Sequence, residues 1–138
     1  MESTESYLDF GDKKLTVLLD SWAWIEYYRG STLGEKVRPI IEGSEEAYVS
    51  TINIAEVYRW FLSSYGPREA ELERKTIKER CLIAPVDESI AVEAAKVRHG
   101  VKLSLGDSII LATARKFAAK VVTGDRELKG MKDVLFIA

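Results

Sequence analysis

The chain has 138 residues, which is the length of a single domain. Its 46% hydrophobic and 30% charged residues exclude a disordered or fibrous protein, and a net charge of −2 lacks the basic excess of many nucleic-acid binders. One cysteine and one histidine exclude an internal disulfide, a multi-cysteine zinc site and a histidine-rich metal site, so any metal or acid–base chemistry falls to carboxylates.

Short apolar strands alternate with helices after a polar N-terminal leader, which we assign to residues 1–14. The strands are predicted at 15–19, 47–50, 82–84, 121–123 and 134–137. The helices are predicted at 22–28, 33–41, 52–64, 68–80, 88–99 and 107–118, with a short helical turn at 125–129. This alternation indicates a parallel sheet with helices on both faces. We therefore predict one α/β domain over residues 15–138, a three-layer α/β/α sandwich of the Rossmann-like type.

Composition also indicates a habitat and a compartment. The sequence has no glutamine and one asparagine but is rich in Glu, Lys and Arg, a pattern typical of thermophile proteins. Residues 1–10 are acidic and lack the apolar core of a secretory signal. The sequence also contains no uninterrupted run of 18 apolar residues, the length that a membrane-spanning helix needs. We expect a soluble, cytoplasmic protein of a thermophile with no membrane contact.

Four acidic residues fall at positions that a parallel sheet brings to one edge. Asp20 follows the first strand directly, and Asp125 comes two residues after the fourth. Glu56 lies early in the helix after the second strand, and Asp107 opens the helix before the fourth strand. Because ligands bind outside the carboxyl ends of parallel strands, we expect these side chains to converge there.

Each of these acids also has a purely structural interpretation. Asp20 could cap the following helix, Asp107 could face a helix dipole, and Asp125 could stabilise a turn. Glu56 lies among apolar neighbours, where its ordinary partner would be Arg59. Four acids near one edge nevertheless indicate a cation site, because close carboxylates repel one another. All-oxygen ligands select Mg²⁺ or Mn²⁺, and such a site supports phosphodiester hydrolysis by an activated water.

The aromatic residues are concentrated on two predicted helices. They are Trp22, Trp24, Tyr27 and Tyr28 on the first, and Tyr58, Trp60 and Phe61 on the second. We interpret them as core or as a partner interface, rather than as a surface for base stacking. His99 fits a helix C-terminus and Cys81 fits a small buried hydrophobic position.

Four segments carry a resemblance to a known family. They are Val17-Leu-Leu-Asp20-Ser21, Ile52-Asn-Ile-Ala-Glu56-Val57, Leu103-Ser-Leu-Gly-Asp107-Ser-Ile-Ile-Leu-Ala-Thr-Ala114 and Val121-Val-Thr-Gly-Asp125-Arg-Glu-Leu128. The third segment is the most specific, because an acid opens a helix of small residues that leads to a strand ending in Thr-x-Asp. Together the segments resemble the PIN-domain nucleases, in particular the VapC-type toxins, over nearly the whole chain after residue 14.

The resemblance implies a PIN-like fold and a Mg²⁺-dependent ribonuclease, with Mn²⁺ able to substitute. It implies that Asp20 and Asp107 are the firmest metal ligands, with Glu56 a further ligand and Asp125 a fourth, more variable acid. Attack by a metal-bound water on an RNA phosphate would leave 5′-phosphate and 3′-hydroxyl ends.

The resemblance also implies residues that orient the acids, and partners for the chain. Ser21 and Thr123 match hydroxyl positions that orient the acids. Asn53 is an additional candidate on spacing alone, because it lies three residues before Glu56 on the same helix face. The implied partners are an RNA substrate, a second copy in a homodimer and a small antitoxin protein that obstructs the acidic pocket. The aromatic helices at 22–28 and 58–61 are the surfaces we expect to make these protein contacts.

Two other classes of protein fit parts of the pattern. A receiver-like signalling domain also gathers acids around Mg²⁺, but it needs an aspartate where Ser50 follows the second strand. A haloacid-dehalogenase-type phosphatase needs Asp-x-Asp, which Asp20-Ser21-Trp22 lacks, and no phosphate-binding glycine loop is present. A non-catalytic PIN-like scaffold that binds RNA or protein is the other alternative, although a scaffold has no use for unpaired acids.

The near-neutral net charge conceals an uneven distribution. Residues 1–56 hold 11 acids and 5 bases, a net of −6, whereas residues 95–132 hold 9 bases and 3 acids, a net of +6. The basic residues that we expect to meet an RNA backbone are Arg98, Lys102, Arg115, Lys116, Lys120, Arg126 and Lys129. Net charge therefore does not exclude a nucleic-acid partner.

Overall fold

A five-stranded parallel sheet forms the centre of the molecule. The computed structural model describes residues 9–10 and 13–138. The sheet contains β3 (Val17–Leu19), β4 (Ala47–Ser50), β5 (Leu82–Ala84), β6 (Lys120–Thr123) and β7 (Val134–Phe136). A separate antiparallel ladder pairs β1 (Asp9–Phe10) with β2 (Lys13–Lys14). Residues 1–8 and 11–12 of the predicted leader lie outside the described residues.

Six α-helices connect the strands in the described part of the chain. They are α1 (Ser21–Arg29), α2 (Thr32–Ile41), α3 (Thr51–Tyr65), α4 (Pro67–Arg80), α5 (Glu88–Gly100) and α6 (Leu105–Lys116), and a 3₁₀ turn spans Arg126–Leu128. The prediction that Asp107 opens a helix is wrong by two residues. Ser104 caps α6 by accepting a hydrogen bond from the Asp107 amide at 3.1 Å, so Asp107 lies within the first turn.

The order of strands across the sheet is β5-β4-β3-β6-β7, and every neighbouring pair is parallel. Numbered from the first strand of this sheet, the order is 3-2-1-4-5, with the topological switch point between β3 and β6. A receiver-like domain has the order 2-1-3-4-5. The receiver-like alternative is therefore wrong for this chain.

Helices cover both faces of the sheet, each over its own core. Val17 and Leu19 of β3 face a core built with α1 to α4, whereas Leu18 faces the core beneath α5 and α6. This alternation follows from the two-residue period of a strand. The predicted three-layer α/β/α sandwich is confirmed. Within the described part of the chain, no helix combines the length and the hydropathy that a membrane crossing would need.

The aromatic residues of α1 and α3 divide between the core and the surface. Trp24 and Phe61 are fully buried. An aromatic patch surrounds Phe61 and consists of Tyr28, Trp60, Phe61 and Tyr65, whose rings meet mostly edge to face. Tyr28 and Tyr65 are 40% and 53% exposed, so the patch reaches the surface.

The lone cysteine and histidine behave as predicted. Cys81 is a free thiol buried beside the sheet, and burial raises its pKa to about 12. It therefore acts as a small apolar side chain and not as a nucleophile. His99 is exposed in the last turn of α5, where the helix dipole favours a cation.

Candidate active site

A pocket of about 310 Å³ opens at the carboxyl edge of the sheet, beside the switch point between β3 and β6. Its lining contains all four predicted acids and two of the three predicted orienting residues. The full lining is Asp20, Ser21, Trp22, Asn53, Glu56, Ser104, Gly106, Asp107, Ile110 and Asp125. The fold thus brings together acids from four distant segments of the sequence.

Asp20 is the most deeply buried of the four acids, at 7% exposure. It directly follows β3 and caps α1, because its Oδ1 accepts a hydrogen bond from the Ala23 amide at 3.0 Å. Burial raises the pKa of Asp20 to about 7, and the charges of Asp125 and Glu56 add to that shift. The helix-capping interpretation of Asp20 is confirmed, and the same side chain also lines the pocket.

Thr123 is fully buried beneath the pocket at the end of β6. Its hydroxyl oxygen accepts a hydrogen bond from the Asp125 amide at 3.0 Å. A hydrogen bond from Thr123 also lowers the pKa of Asp20 in part. The Thr123 side chain thus lies next to two of the acids.

The negative charge of Asp125 acts on both Asp20 and Asp107. Burial first, and then the charge of Asp125, raise the pKa of Asp107 above its ordinary value. The charge of Asp125 also contributes to the raised pKa of Asp20. Asp125 itself caps the 3₁₀ turn, since its Oδ1 accepts from the Glu127 amide at 3.0 Å. Asp125, which the resemblance marks as the most variable acid, therefore lies close enough to Asp20 and Asp107 to affect both.

Ser21 and Asn53 hold the Glu56 carboxylate at the opposite side of the pocket. Ser21 Oγ donates to Glu56 Oε1 at 2.6 Å. Asn53 Nδ2 donates to Ser21 Oγ at 3.0 Å and reaches Glu56 Oε1 at 3.5 Å. Asn53 is held in turn by the Ser50 amide, which donates to its Oδ1 at 3.3 Å in the capping box of α3. The spacing argument for Asn53 therefore agrees with the contacts.

Glu56 does not follow its purely structural interpretation, in which Arg59 would be its partner. Its side chain is exposed rather than buried among apolar neighbours, because α3 turns Val57 into the core and Glu56 towards solvent. Its partner is Ser21 and not Arg59, with which it forms no ion pair among the described residues. A hydroxyl from the neighbouring helix α1 reaches the carboxylate, and helical spacing cannot foresee such a contact.

The donor set suits a hard divalent cation. No three acids of the described residues are close enough together to enclose a metal ion as they stand. Mg²⁺, however, commonly uses only one or two carboxylates and keeps several waters. Asp20 and Asp107 both have raised pKa values from burial and like charge, and a cation in the pocket would relieve that repulsion. We therefore find the residues compatible with a metal site.

The pocket also contains residues that the sequence interpretation missed, namely Trp22, Ser104, Gly106 and Ile110. Ser104 had a signal, because a serine three residues before an acid is a helix N-terminus pattern. Trp22 carries no such signal, and its aromatic ring indicates only the core or a partner interface. Its position at the pocket follows from the direction in which α1 leaves the sheet.

Not all of the predicted basic surface is free to meet RNA. Arg115 pairs with Asp133 at 2.9 Å and Lys116 pairs with Asp87 at 3.3 Å. Arg126 is exposed directly after Asp125 and forms no ion pair within the described part of the chain. The basic residue nearest in sequence to the pocket is thus available, whereas two others neutralise local acids.

Comparison with known proteins gives consistent matches. The family profile described as PIN domain matches residues 17–134. A VapC ribonuclease from Pyrococcus furiosus is 26% identical over 115 residues, covering 79% of this chain and 74% of that protein. A toxin–antitoxin complex from Klebsiella pneumoniae matches with a TM-score of 0.73 at 22% identity, over 86% of this chain and 95% of that chain. VapC20 from Mycobacterium tuberculosis, a sarcin–ricin loop cleaving toxin, matches with a TM-score of 0.66 at 18% identity, over 86% and 98%.

Proposed function

The chain belongs to the PIN domain family, and on that premise we propose that it is a metal-dependent endoribonuclease. The observation that carries the proposal is the shared pocket of Asp20, Glu56, Asp107 and Asp125 at the switch point of the sheet. The ribonuclease named among its relatives supports RNA as the substrate. The reaction is hydrolysis of RNA phosphodiester bonds.

The proposed ion is Mg²⁺, with Mn²⁺ as a substitute, because the donors are all oxygens. Asp20, Asp107 and Asp125 would hold it, with Glu56 as a further ligand, direct or through water. When bound, such an ion polarises a phosphate oxygen and lowers the pKa of a water molecule.

The chain's own residues fix the acids in place. Ser21 and Asn53 both engage Oε1 of Glu56, whereas Oε2 accepts no hydrogen bond from the described residues. Glu56 is therefore oriented with one oxygen free to take a proton or to hold a water. Thr123 holds the backbone of Asp125 and also acts on Asp20, so it supports the acids at the end of β6.

We expect Asp20→Asn and Asp107→Asn each to lower RNA cleavage by at least about 100-fold, because each removes a charge from the metal site. Asparagine also caps helices well, so Asp20→Asn keeps the acceptor for the Ala23 amide and the fold. The measurement is cleavage of single-stranded RNA with Mg²⁺ or Mn²⁺, and with EDTA, in which wild-type cleavage should stop.

The matched control is Glu93→Gln, an exposed acid on α5 that pairs with Lys96. This variant should cleave at the wild-type rate. Equal cleavage by wild type and both pocket variants would overturn the proposal. RNA binding by the wild type without any metal-dependent cleavage would instead support the non-catalytic scaffold.

We further propose that the chain is the toxin of a toxin–antitoxin pair, and that it acts as a homodimer in the cytoplasm. The solved complex among its structural neighbours supports an antitoxin partner. Two exposed apolar surfaces support protein contacts. One is the aromatic patch, and the other is the strand β5 at the edge of the described sheet, where Leu82 and Ile83 are 53% and 39% exposed. We assign the patch to the antitoxin and the edge to the second copy.

A further inference from the structure

Trp22 is the large apolar side chain of the acidic pocket. It is the second residue of α1, two positions after Asp20, and it lines the pocket together with the smaller apolar Ile110. The remaining lining residues are acids, hydroxyls, an amide and a glycine. Trp22 is only partly buried, with part of its side chain packed on the core beneath α1 to α4. A hydrophilic catalytic pocket has no need of an indole for the chemistry itself.

Gly124 makes the space in which the Trp22 ring lies. A Cβ atom at position 124 would stand 2.2 Å from Cζ2, 2.5 Å from Cε2 and 2.7 Å from Cη2 of the indole. The φ angle of Gly124 is not in the left-handed region, so its backbone conformation does not require glycine. The glycine between Thr123 and Asp125 is therefore explained by the close approach of this ring. The six-membered ring is fixed against the loop that carries a metal-site acid.

The Trp22 ring differs from the other two indoles in its surroundings. Trp24 meets Tyr27 edge to face, and Trp60 belongs to the aromatic patch. Trp22 forms no aromatic pair with a described residue. An indole that is held on one side and faces a pocket on another can offer surface to a flat ligand.

We propose that Trp22 is a stacking platform for an unpaired nucleobase of the RNA whose phosphate lies among the four acids. This inference rests on the proposed ribonuclease function and names the substrate class more narrowly, as RNA with a base that can leave its own stack. Aromatic side chains bind single-stranded nucleic acid by stacking on any base, whereas a base inside a duplex is unavailable. Trp22 would thus favour single-stranded over double-stranded RNA.

The experiment compares Trp22→Leu, which keeps an apolar side chain without a π face, with Trp22→Phe, which keeps a smaller aromatic ring. Each is combined with Asp107→Asn, which slows cleavage strongly, and titrated with a single-stranded RNA oligonucleotide and with the same oligonucleotide annealed to its complement. Trp22→Leu should weaken single-stranded binding by about tenfold or more and remove most of the preference over duplex, while Trp22→Phe should retain most of the affinity. Trp60→Leu, outside the pocket, should bind as the parent does.

A second measurement does not depend on the stability of the leucine variant. Binding of single-stranded RNA should quench tryptophan fluorescence in the parent, and this quenching should be lost in Trp22→Phe, which keeps Trp24 and Trp60. Unchanged affinity in Trp22→Leu, or undiminished quenching in Trp22→Phe, would overturn the inference while leaving the ribonuclease proposal intact. A wild-type protein that neither binds nor cleaves RNA would overturn the ribonuclease proposal itself.

Discussion

At the scale of single residues, the site combines functional and structural roles in the same side chain. Asp20 caps α1 and lies in the acidic pocket at the same time. Burial and neighbouring acids raise the pKa of Asp20 to about 7, so its ionised form lowers the stability of the metal-free protein. A functional pocket commonly carries such a cost in stability.

Glu73 is a buried acid outside the pocket, on the core-facing side of α4 between Ala70 and Ile77. Its Oε1 finds no hydrogen-bond partner among the described residues. Burial raises the pKa of Glu73 to about 7 from its ordinary 4.5, and the charge of Glu69 adds to the shift. Tyr27 and Tyr28 of α1 also lie within reach of its charge.

We expect the free energy of unfolding to fall as the pH rises from about 4.5 to about 7, because the folded protein holds the Glu73 proton more tightly than the unfolded chain. Asp20 contributes in the same direction. Glu73→Gln should remove the part due to Glu73 and stabilise the protein by about 1–3 kcal/mol at pH 8. Urea denaturation at pH 5 and pH 8, both in EDTA, measures this difference.

The control is Glu79→Gln, an exposed acid on the same helix. Its unfolding free energy should follow that of the wild type within about 0.5 kcal/mol at both pH values. A Glu73→Gln variant that loses the same stability between pH 5 and pH 8 as the wild type would contradict the prediction.

At the scale of elements, helix starts deliver the acids to the pocket. Asp20 caps α1, Asp107 lies in the first turn of α6, and Asp125 caps the 3₁₀ turn. Cap hydrogen bonds from backbone amides fix the direction of the Asp20 and Asp125 carboxylates, while Asp107 is held by its place in the first turn of α6. The positions of the acids therefore depend on how accurately α1 and α6 are docked on the sheet.

The docking of α2 on α1 depends on a close approach at Gly34. A Cβ atom there would stand 2.0 Å from the backbone oxygen of Glu26. We expect Gly34→Ala to lower the free energy of unfolding by about 2–3 kcal/mol, because rigid backbone must move away. The control is Gly106→Ala in α6, where nothing lies within 4 Å of the added atom.

The control variant should gain about 0.4–1 kcal/mol from the lower entropy of its unfolded chain. Thermal and urea denaturation of both variants provide the comparison. If Gly34→Ala proved as stable as the wild type, α1 and α2 would not be packed as closely as described.

At the scale of the whole molecule, the exposed apolar surfaces lie apart from the acidic pocket. The aromatic patch lies on α1 and α3, and none of its residues lines the pocket. Leu62, at 43% exposure, extends the apolar surface along α3. Protein contacts and RNA cleavage can therefore be altered separately by substitution.

We expect Leu62→Ser combined with Tyr65→Ser to weaken binding of the proposed antitoxin by about tenfold or more, because both side chains lose apolar contact area. The probe is the product of the reading frame adjacent to this one, co-expressed and titrated against the purified chain. RNA cleavage by the double variant should stay at the wild-type rate. Val92→Ser, a 49% exposed position on α5, is the matched control.

Undiminished binding by the double variant would exclude the aromatic patch as the antitoxin surface. A change in the mass of the free protein in solution, with binding intact, would instead assign the patch to the homodimer.

The sequence by itself determined the order and type of the elements after residue 14, although not the β1–β2 ladder before it, and placed Asp20, Glu56, Asp107 and Asp125 near strand ends and helix starts. These features are local, since the apolar period and the residues beside each strand end lie within one segment. The bounds of α6 were off by two residues, because Ser104 and not Asp107 caps that helix.

Only the tertiary structure decided which distant residues meet. It set the strand order that excludes a receiver-like domain. It brought the Ser21 hydroxyl, and not Arg59, to the Glu56 carboxylate. It also paired Arg115 and Lys116 with acids. It also placed Trp22 against Gly124 at the pocket, where the sequence indicated only core or interface. Each of these outcomes depends on contacts between segments far apart in the chain, which no local pattern encodes.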